Sequence, residues 1–105
     1  MGIFSKLFRN RKGDLKQMVK QGVIIIDVRS PQEFTAGHIR GSRNVPLDEL
    51  IKMISEVKTL NKPVITVCQS GVRSSTAAFL LRKNGVQAIN GGCWTNVDEL
   101  LSAVN

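Results

Sequence analysis

A chain of 105 residues with 42 % apolar and 22 % charged side chains suits one globular domain that buries a core of its own, with little room for a second lobe. No apolar run is long enough to cross a bilayer, and the opening residues lack the continuous apolar stretch and cleavage site of a signal peptide. The net charge of +7 is uneven: Lys6, Arg9, Arg11 and Lys12 crowd a segment with no acidic residue, and the rest of the chain carries only +3. With no Tyr, few aromatics and no interleaving of basic and aromatic residues, nucleic acid is not the expected partner. Two cysteines, Cys68 and Cys93, make no disulfide framework and fit a reducing, cytoplasmic setting.

Residues 1–12 place Ile3, Phe4, Leu7 and Phe8 at helical spacing between basic residues. This segment reads either as a short basic amphipathic helix that touches a membrane surface or partner, or as a frayed terminus. Lys6 stands where a myristoylation signal wants Ser or Thr. The remainder, 13–105, reads as a single domain. Residues 14–21 predict a helix with Asp14 at its cap and Gly22 as its stop. The β-branched run 23–28 predicts a strand buried on both faces, as in a parallel sheet, with Asp27 and Arg29 emerging at its C-terminal end, where α/β sheets bind ligands. Ser30, Pro31 and Glu33 form a capping-box pattern over a short helix. Residues 37–46 form a loop or short strand. Residues 47–58 predict an amphipathic helix with Leu47, Leu50, Ile51, Ile54 and Val57 inward. Residues 63–67 predict a second buried strand, 75–83 a helix, 86–89 a short strand, Asn90-Gly91-Gly92 a tight turn, and 93–104 a last helix with Trp94, Val97, Leu100, Leu101 and Val104 inward. Alternating strands and helices predict a mainly parallel sheet flanked on both faces.

The stretch Cys68-Gln69-Ser70-Gly71-Val72-Arg73-Ser74 concentrates the chemistry. A strand delivers Cys68 into a short loop that runs into a helix N-terminus. Unpaired amides and the helix dipole make that place attractive to an anion. A cysteine there is expected to be a thiolate nucleophile rather than an inert buried thiol. Gly71 suits a backbone that curls with positive φ. Arg73 adds a fixed charge, and Ser74-Ser75 supply hydroxyls.

Taken in order, Asp27-Val28-Arg29, Glu33-Phe34, Gly37-His38-Ile39, Gly41-Ser42, Asn44-Val45-Pro46, Cys68-x-x-Gly71-x-Arg73-Ser74 and Asn90-Gly91-Gly92 with Trp94 resemble the rhodanese-like, single-domain sulfurtransferases over residues 14–104. The resemblance implies a rhodanese-like α/β fold: a sheet of about five strands, mainly parallel, with helices on both faces. The family's short strand ahead of the first helix is expected to be reduced or missing, because basic residues 8–12 occupy that place. The resemblance also implies an enzyme in which Cys68 accepts a sulfane sulfur from thiosulfate, a persulfide or a polysulfide and passes it to cyanide, a thiol or a protein acceptor, with no metal and no organic cofactor. Gln69, Ser70, Gly71, Val72 and Arg73 then form the loop that holds the persulfide. The alternatives are a persulfide carrier with little turnover of its own, and an oxyanion enzyme acting on phosphate or arsenate. Related oxyanion enzymes carry one more residue between Cys and Arg; here Cys68 through Arg73 spans six residues.

Asp27 and Arg29 could steer substrate but are expected to be structural, with Arg29 pairing with a carboxylate such as Glu33 and Asp27 accepting loop or helix amides. His38 suits architecture better than general-base work, since persulfide transfer begins from a thiolate. Cys93 reads either as a partly buried, inert thiol or as a resolving thiol that attacks the Cys68 persulfide, releasing sulfide and leaving an internal disulfide. A zinc site from Cys68, Cys93 and His38 lacks close-spaced ligand pairs.

Overall fold

Four parallel strands in one sheet carry the structure, a computed structural model that describes residues 11–103. In chain order the elements are α1 (Arg11–Lys20), β1 (Ile24–Asp27), α2 (Pro31–Ala36), β2 (Arg43–Asn44), α3 (Leu47–Thr59), β3 (Val64–Cys68), α4 (Val72–Lys83), β4 (Ala88–Cys93) and α5 (Trp94–Ser102). The strand order is β2-β1-β3-β4, with every pairing parallel. The N-terminal amphipathic segment, up to residue 10, and Val104 lie outside the described residues.

Period-two alternation divides the core. Ile24, Ile26, Val64, Cys68 and Ala88 face Leu50, Val57, Ala77, Ala78 and Leu81 of α3 and α4. Ile65, Val67 and Ile89 face Leu15, Met18, Val97 and Leu100 of α1 and α5. β3 is buried at all five positions, which is why its sequence is apolar without alternation.

Several elements differ from the sequence reading. The sheet has four strands among the described residues rather than about five, and α1 opens at Arg11 and Lys12, within the segment where the family's first short strand was expected to be reduced or missing. Asp14 therefore lies inside α1, not at its cap. Ile51 is 57 % exposed, so it leaves the inward face of α3 to Leu47, Leu50, Ile54 and Val57. α4 begins at Val72, three residues early, because the loop amides already adopt helical geometry around Cys68. Phe79 of α4 is exposed.

The largest correction concerns Asn90-Gly91-Gly92. It is not a turn but the continuation of β4, with a bulge against β3. Thr66 pairs with Asn90, then Val67 with Gly92 and Cys68 with Cys93, so Gly91 is the extra residue. A Cβ at Gly91 would lie 2.7 Å from Ile65 Cγ2 and 3.0 Å from the Thr66 carbonyl oxygen. The carbonyl cannot retreat, because it belongs to a central strand.

Gly91→Ala is expected to lower stability by about 1–3 kcal/mol through overpacking. The measurement is urea unfolding, with a lower midpoint at unchanged slope.

Candidate active site

β3 ends at Cys68, and the chain turns into α4 within three residues. Gly71 makes this possible by taking φ of +96° at the N-cap. The turn aims main-chain amides back at the sulfur. The Gly71 N–H donates to Cys68 Sγ at 3.0 Å and the Ser74 N–H at 3.4 Å. Ser74 Oγ lies 3.2 Å from the same sulfur. The donors that the first turn of a helix leaves unpaired are thus turned on a single atom.

Cys68 is 0 % exposed. Burial is the largest single influence on its thiol and pushes it up. The hydroxyl of Ser74 and the amides of Ser74, Gly71 and Ser70 together outweigh it, and the thiol sits below its ordinary value. Ser74 is itself buried and held: its Oγ lies 2.6 Å from Asn90 Oδ1, so its single proton serves either that oxygen or the sulfur. Asn90 Oδ1 also accepts from the Gly92 N–H at 2.9 Å, and Asn90 Nδ2 donates to the Gly71 carbonyl at 3.1 Å. Thr66 donates its hydroxyl to the Ser74 carbonyl at 2.7 Å. The bulged β4 therefore clamps the loop from one side and β3 from beneath.

Arg73 does not stand beside the sulfur as a free charge. It makes a bidentate pair with Glu33, at 2.8 and 3.1 Å. Glu33 closes the α2 capping box at the same time, accepting from the Ser30 N–H at 3.1 Å. The Arg73 guanidinium is the chief reason that the Glu33 carboxyl is held down to about 2, and the Ser30 amide adds to it. The positive character around Cys68 comes from amides, because Arg73 is matched by a carboxylate.

Arg29 pairs with a carboxylate as expected, but with Asp27 rather than Glu33. Its guanidinium grips Asp27, with Nε at 2.9 Å from Oδ1 and Nη2 at 2.7 Å from Oδ2. It also donates to the carbonyls of Glu33 at 3.3 Å and Gly37 at 2.7 Å, and its Cζ lies 4.8 Å from the Trp94 ring centroid. With Asp27 at 0 % and Arg29 at 3 % exposure, this pair is a buried strut between β1, α2 and α5. Asp27 does accept an amide, from Arg29 itself at 3.0 Å.

Gln69 and Ser70 sit exposed at the rim, with Ser70 Oγ accepting from the Val72 N–H at 3.5 Å; Val72 and Ser75 are exposed on α4. His38 donates from Nδ1 to the Phe34 carbonyl at 2.7 Å and stacks on Phe34, so its ring is committed to α2. Arg43 is exposed on β2. Cys93, half-buried at the end of β4, pairs in register with Cys68, and its Sγ lies 3.1 Å from Thr95 Oγ1. Among the described residues no three His, Cys, Asp or Glu side chains converge to hold a metal, and no helix is long and apolar enough to cross a membrane.

Sequence reading missed Asn90 and Thr66 as supports and Glu33 as the partner of Arg73. A hydroxyl inside the apolar run Val64-Ile65-Thr66-Val67 was the available signal for Thr66. No local pattern links Glu33 to Arg73, which lie 40 residues apart.

The rhodanese-like domain family matches residues 12–94. A stretch of 65 residues is 52 % identical to the uncharacterized protein YqhL of Bacillus subtilis, covering 62 % of this chain and 51 % of that one; the chain thus spans about half the length of this relative. The thiosulfate sulfurtransferase GlpE of Pseudomonas putida is 36 % identical over 76 residues, 70 % of this chain and 68 % of its own. Among solved structures, the reduced Bacillus anthracis CoADR-RHD superposes with a TM-score of 0.70 at 33 % identity, over 88 % of this chain and 16 % of that chain. A rhodanese with anions from E. coli superposes at 0.64 with 30 % identity, over 71 % and 91 %.

Ser74→Ala removes the one side-chain hydroxyl that the described residues place on the sulfur, so the midpoint of the pH dependence of Cys68 alkylation by iodoacetamide, followed in a Cys93→Ser background, is expected to move to higher pH. Glu33 has a depressed folded value, so its stabilisation is complete above its ordinary value of 4.5 and is lost as pH falls toward about 2. Glu33→Gln is expected to flatten the pH dependence of Tm across that window, read by thermal unfolding at a series of acidic pH values.

Proposed function

Because the chain belongs to the rhodanese-like domain family, we propose that it is a sulfurtransferase that carries a sulfane sulfur as a persulfide on Cys68. The observation that carries this reading is the ring of donors on one sulfur: Gly71 N–H at 3.0 Å, Ser74 N–H at 3.4 Å and Ser74 Oγ at 3.2 Å. Such donors suit both the attacking thiolate and the Cys68 Sγ–S⁻ anion that follows, as preorganised amides do wherever charge develops. In the first step the Cys68 thiolate attacks the outer sulfur of the donor, and the donor leaves as sulfite or a thiolate. In the second, a thiolate or cyanide attacks the outer sulfur of the persulfide and restores the Cys68 thiolate. No proton need be removed from an acceptor thiolate, which accords with a His38 engaged elsewhere.

The donor class follows from charge. Glu33 matches the Arg73 cation, which leaves only dipoles to receive a dianion such as thiosulfate. A persulfide or polysulfide donor therefore suits the loop better. The six residues from Cys68 through Arg73 favour sulfur over a tetrahedral oxyanion such as phosphate or arsenate. A second reading, a persulfide carrier that serves a protein thiol and turns over poorly alone, draws support from Val72, which stands 71 % exposed at the rim of the loop.

Intact mass spectrometry tests the reading. Treatment with glutathione persulfide, and more slowly with thiosulfate, is expected to add one sulfur, about 32 Da, to the wild type through its reactive thiolate, and Cys68→Ser removes the adduct from that site. Faster loading by thiosulfate reverses the donor assignment. Rapid cyanide-dependent turnover supports the enzyme; loading with little turnover supports the carrier. Hydrolysis of p-nitrophenyl phosphate without sulfur loading overturns both.

A further inference from the structure

We propose that Cys93 is the second nucleophile of this site and takes the outer sulfur from the Cys68 persulfide before it leaves the protein. The inference rests on the persulfide reading above and deepens it. Its foundation is the β4 bulge. With Gly91 as the extra residue, Cys93 becomes the register partner of Cys68 on the adjacent strand. Were Gly91 paired with Val67 instead of bulged, Gly92 would stand opposite Cys68, and Cys93 would fall one position beyond the end of β3. Partners on neighbouring strands have their backbones about 4.8 Å apart. A tight glycine position, with no room for a Cβ, thus brings the two cysteines to the same register position at the C-terminal end of the sheet.

The two thiols differ in access. Cys68 Sγ is enclosed by Gly71 N–H, Ser74 N–H and Ser74 Oγ and has no exposed surface. Cys93 is half-buried and lines an open groove of about 710 Å³ between α1 and α5, with Leu15, Lys16, Asn96 and Leu100. It also stands at the N-cap position of α5, with its Sγ 3.1 Å from Thr95 Oγ1, and that hydroxyl is the chief reason its thiol sits below the ordinary value. Cys93 thus has a polar neighbour of its own, on the side that an acceptor reaches.

The step balances without an oxidant or reductant. The Cys93 thiolate attacks the outer sulfur of Cys68–S–SH; a bond forms between Cys93 Sγ and that sulfur, and the Cys68–sulfur bond breaks. The electron pair stays on Cys68 as its amide-held thiolate, and the proton remains with the transferred sulfur until Cys93–S–SH ionises. An external thiol or a protein thiol in the groove then receives the sulfur from Cys93.

The test is peptide mapping after loading with thiosulfate or glutathione persulfide and trapping with iodoacetamide. Cleavage at Arg73, Arg82 and Lys83 separates the two cysteines. In the wild type the added sulfur is expected on both peptides, and in Cys68→Ser on neither. In Cys93→Ser it is expected on Cys68 alone, with several-fold slower delivery to glutathione. A sulfur confined to Cys68 in the wild type overturns the relay and leaves the Cys68 persulfide standing. Equal loading of Cys93 in Cys68→Ser, or a Cys68–Cys93 disulfide in place of a Cys93 persulfide, also overturns it. Failure of Cys68 to load in Cys93→Ser overturns the persulfide reading itself, and the relay with it.

Discussion

A sulfur buried at the end of a central strand holds negative charge only if the protein replaces the water it has lost. Cys68 stands at that point, and the opposition is direct: burial pushes its thiol up, while hydrogen bonds from the Ser74 hydroxyl and the amides of Ser70, Gly71 and Ser74 pull it down further. Much of the surrounding structure can be understood as holding those donors in place. Gly71 accepts a left-handed turn so that its own N–H faces inward. Asn90 holds the Gly71 carbonyl and the Ser74 hydroxyl at once. Thr66, an isolated hydroxyl in an apolar strand, anchors the Ser74 carbonyl.

Charged residues near the loop serve architecture first. Arg73 is matched by Glu33, and Arg29 by Asp27, so neither guanidinium is offered to a ligand as an uncompensated cation. Each pair ties separate elements together. Arg73 and Glu33 join the start of α4 to the cap of α2. Arg29 and Asp27 join the end of β1 to the Gly37 carbonyl and the Trp94 ring. A buried ion pair is weak evidence for net stability, but loss of either partner strands a charge in the core and is strongly destabilising. Electrostatic work at the sulfur is left to dipoles, which are fixed by the backbone and need no counter-ion.

The bulge in β4 links fold to chemistry. Gly91 leaves no room for a side chain against Ile65 and Thr66, and the extra residue moves Cys93 into line with Cys68. Asn90, just before the bulge, braces the loop; Cys93, just after it, stands at the N-cap position of α5. One irregularity in one strand thereby supplies both the clamp on the nucleophile and the register partner of the nucleophile.

Local signals in the amino-acid sequence determined the strand–loop–helix unit around Cys68, the capping box of Ser30 and Glu33, the amphipathic α3 and the alternation that makes a parallel sheet. Each depends on residues within a few positions of one another, so periodicity, caps and glycines suffice to reveal it. Tertiary structure alone decided that Asn90-Gly91-Gly92 is a bulged strand, that Ile51 faces solvent, that Glu33 belongs to Arg73 and Asp27 to Arg29, and that Cys93 pairs in register with Cys68. The physical reason is common to these cases. A glycine pair has the same local freedom in a turn and in a bulge, and a carboxylate accepts any guanidinium within reach. Only strand register and helix packing, set by contacts between residues far apart in the chain, choose between those partners.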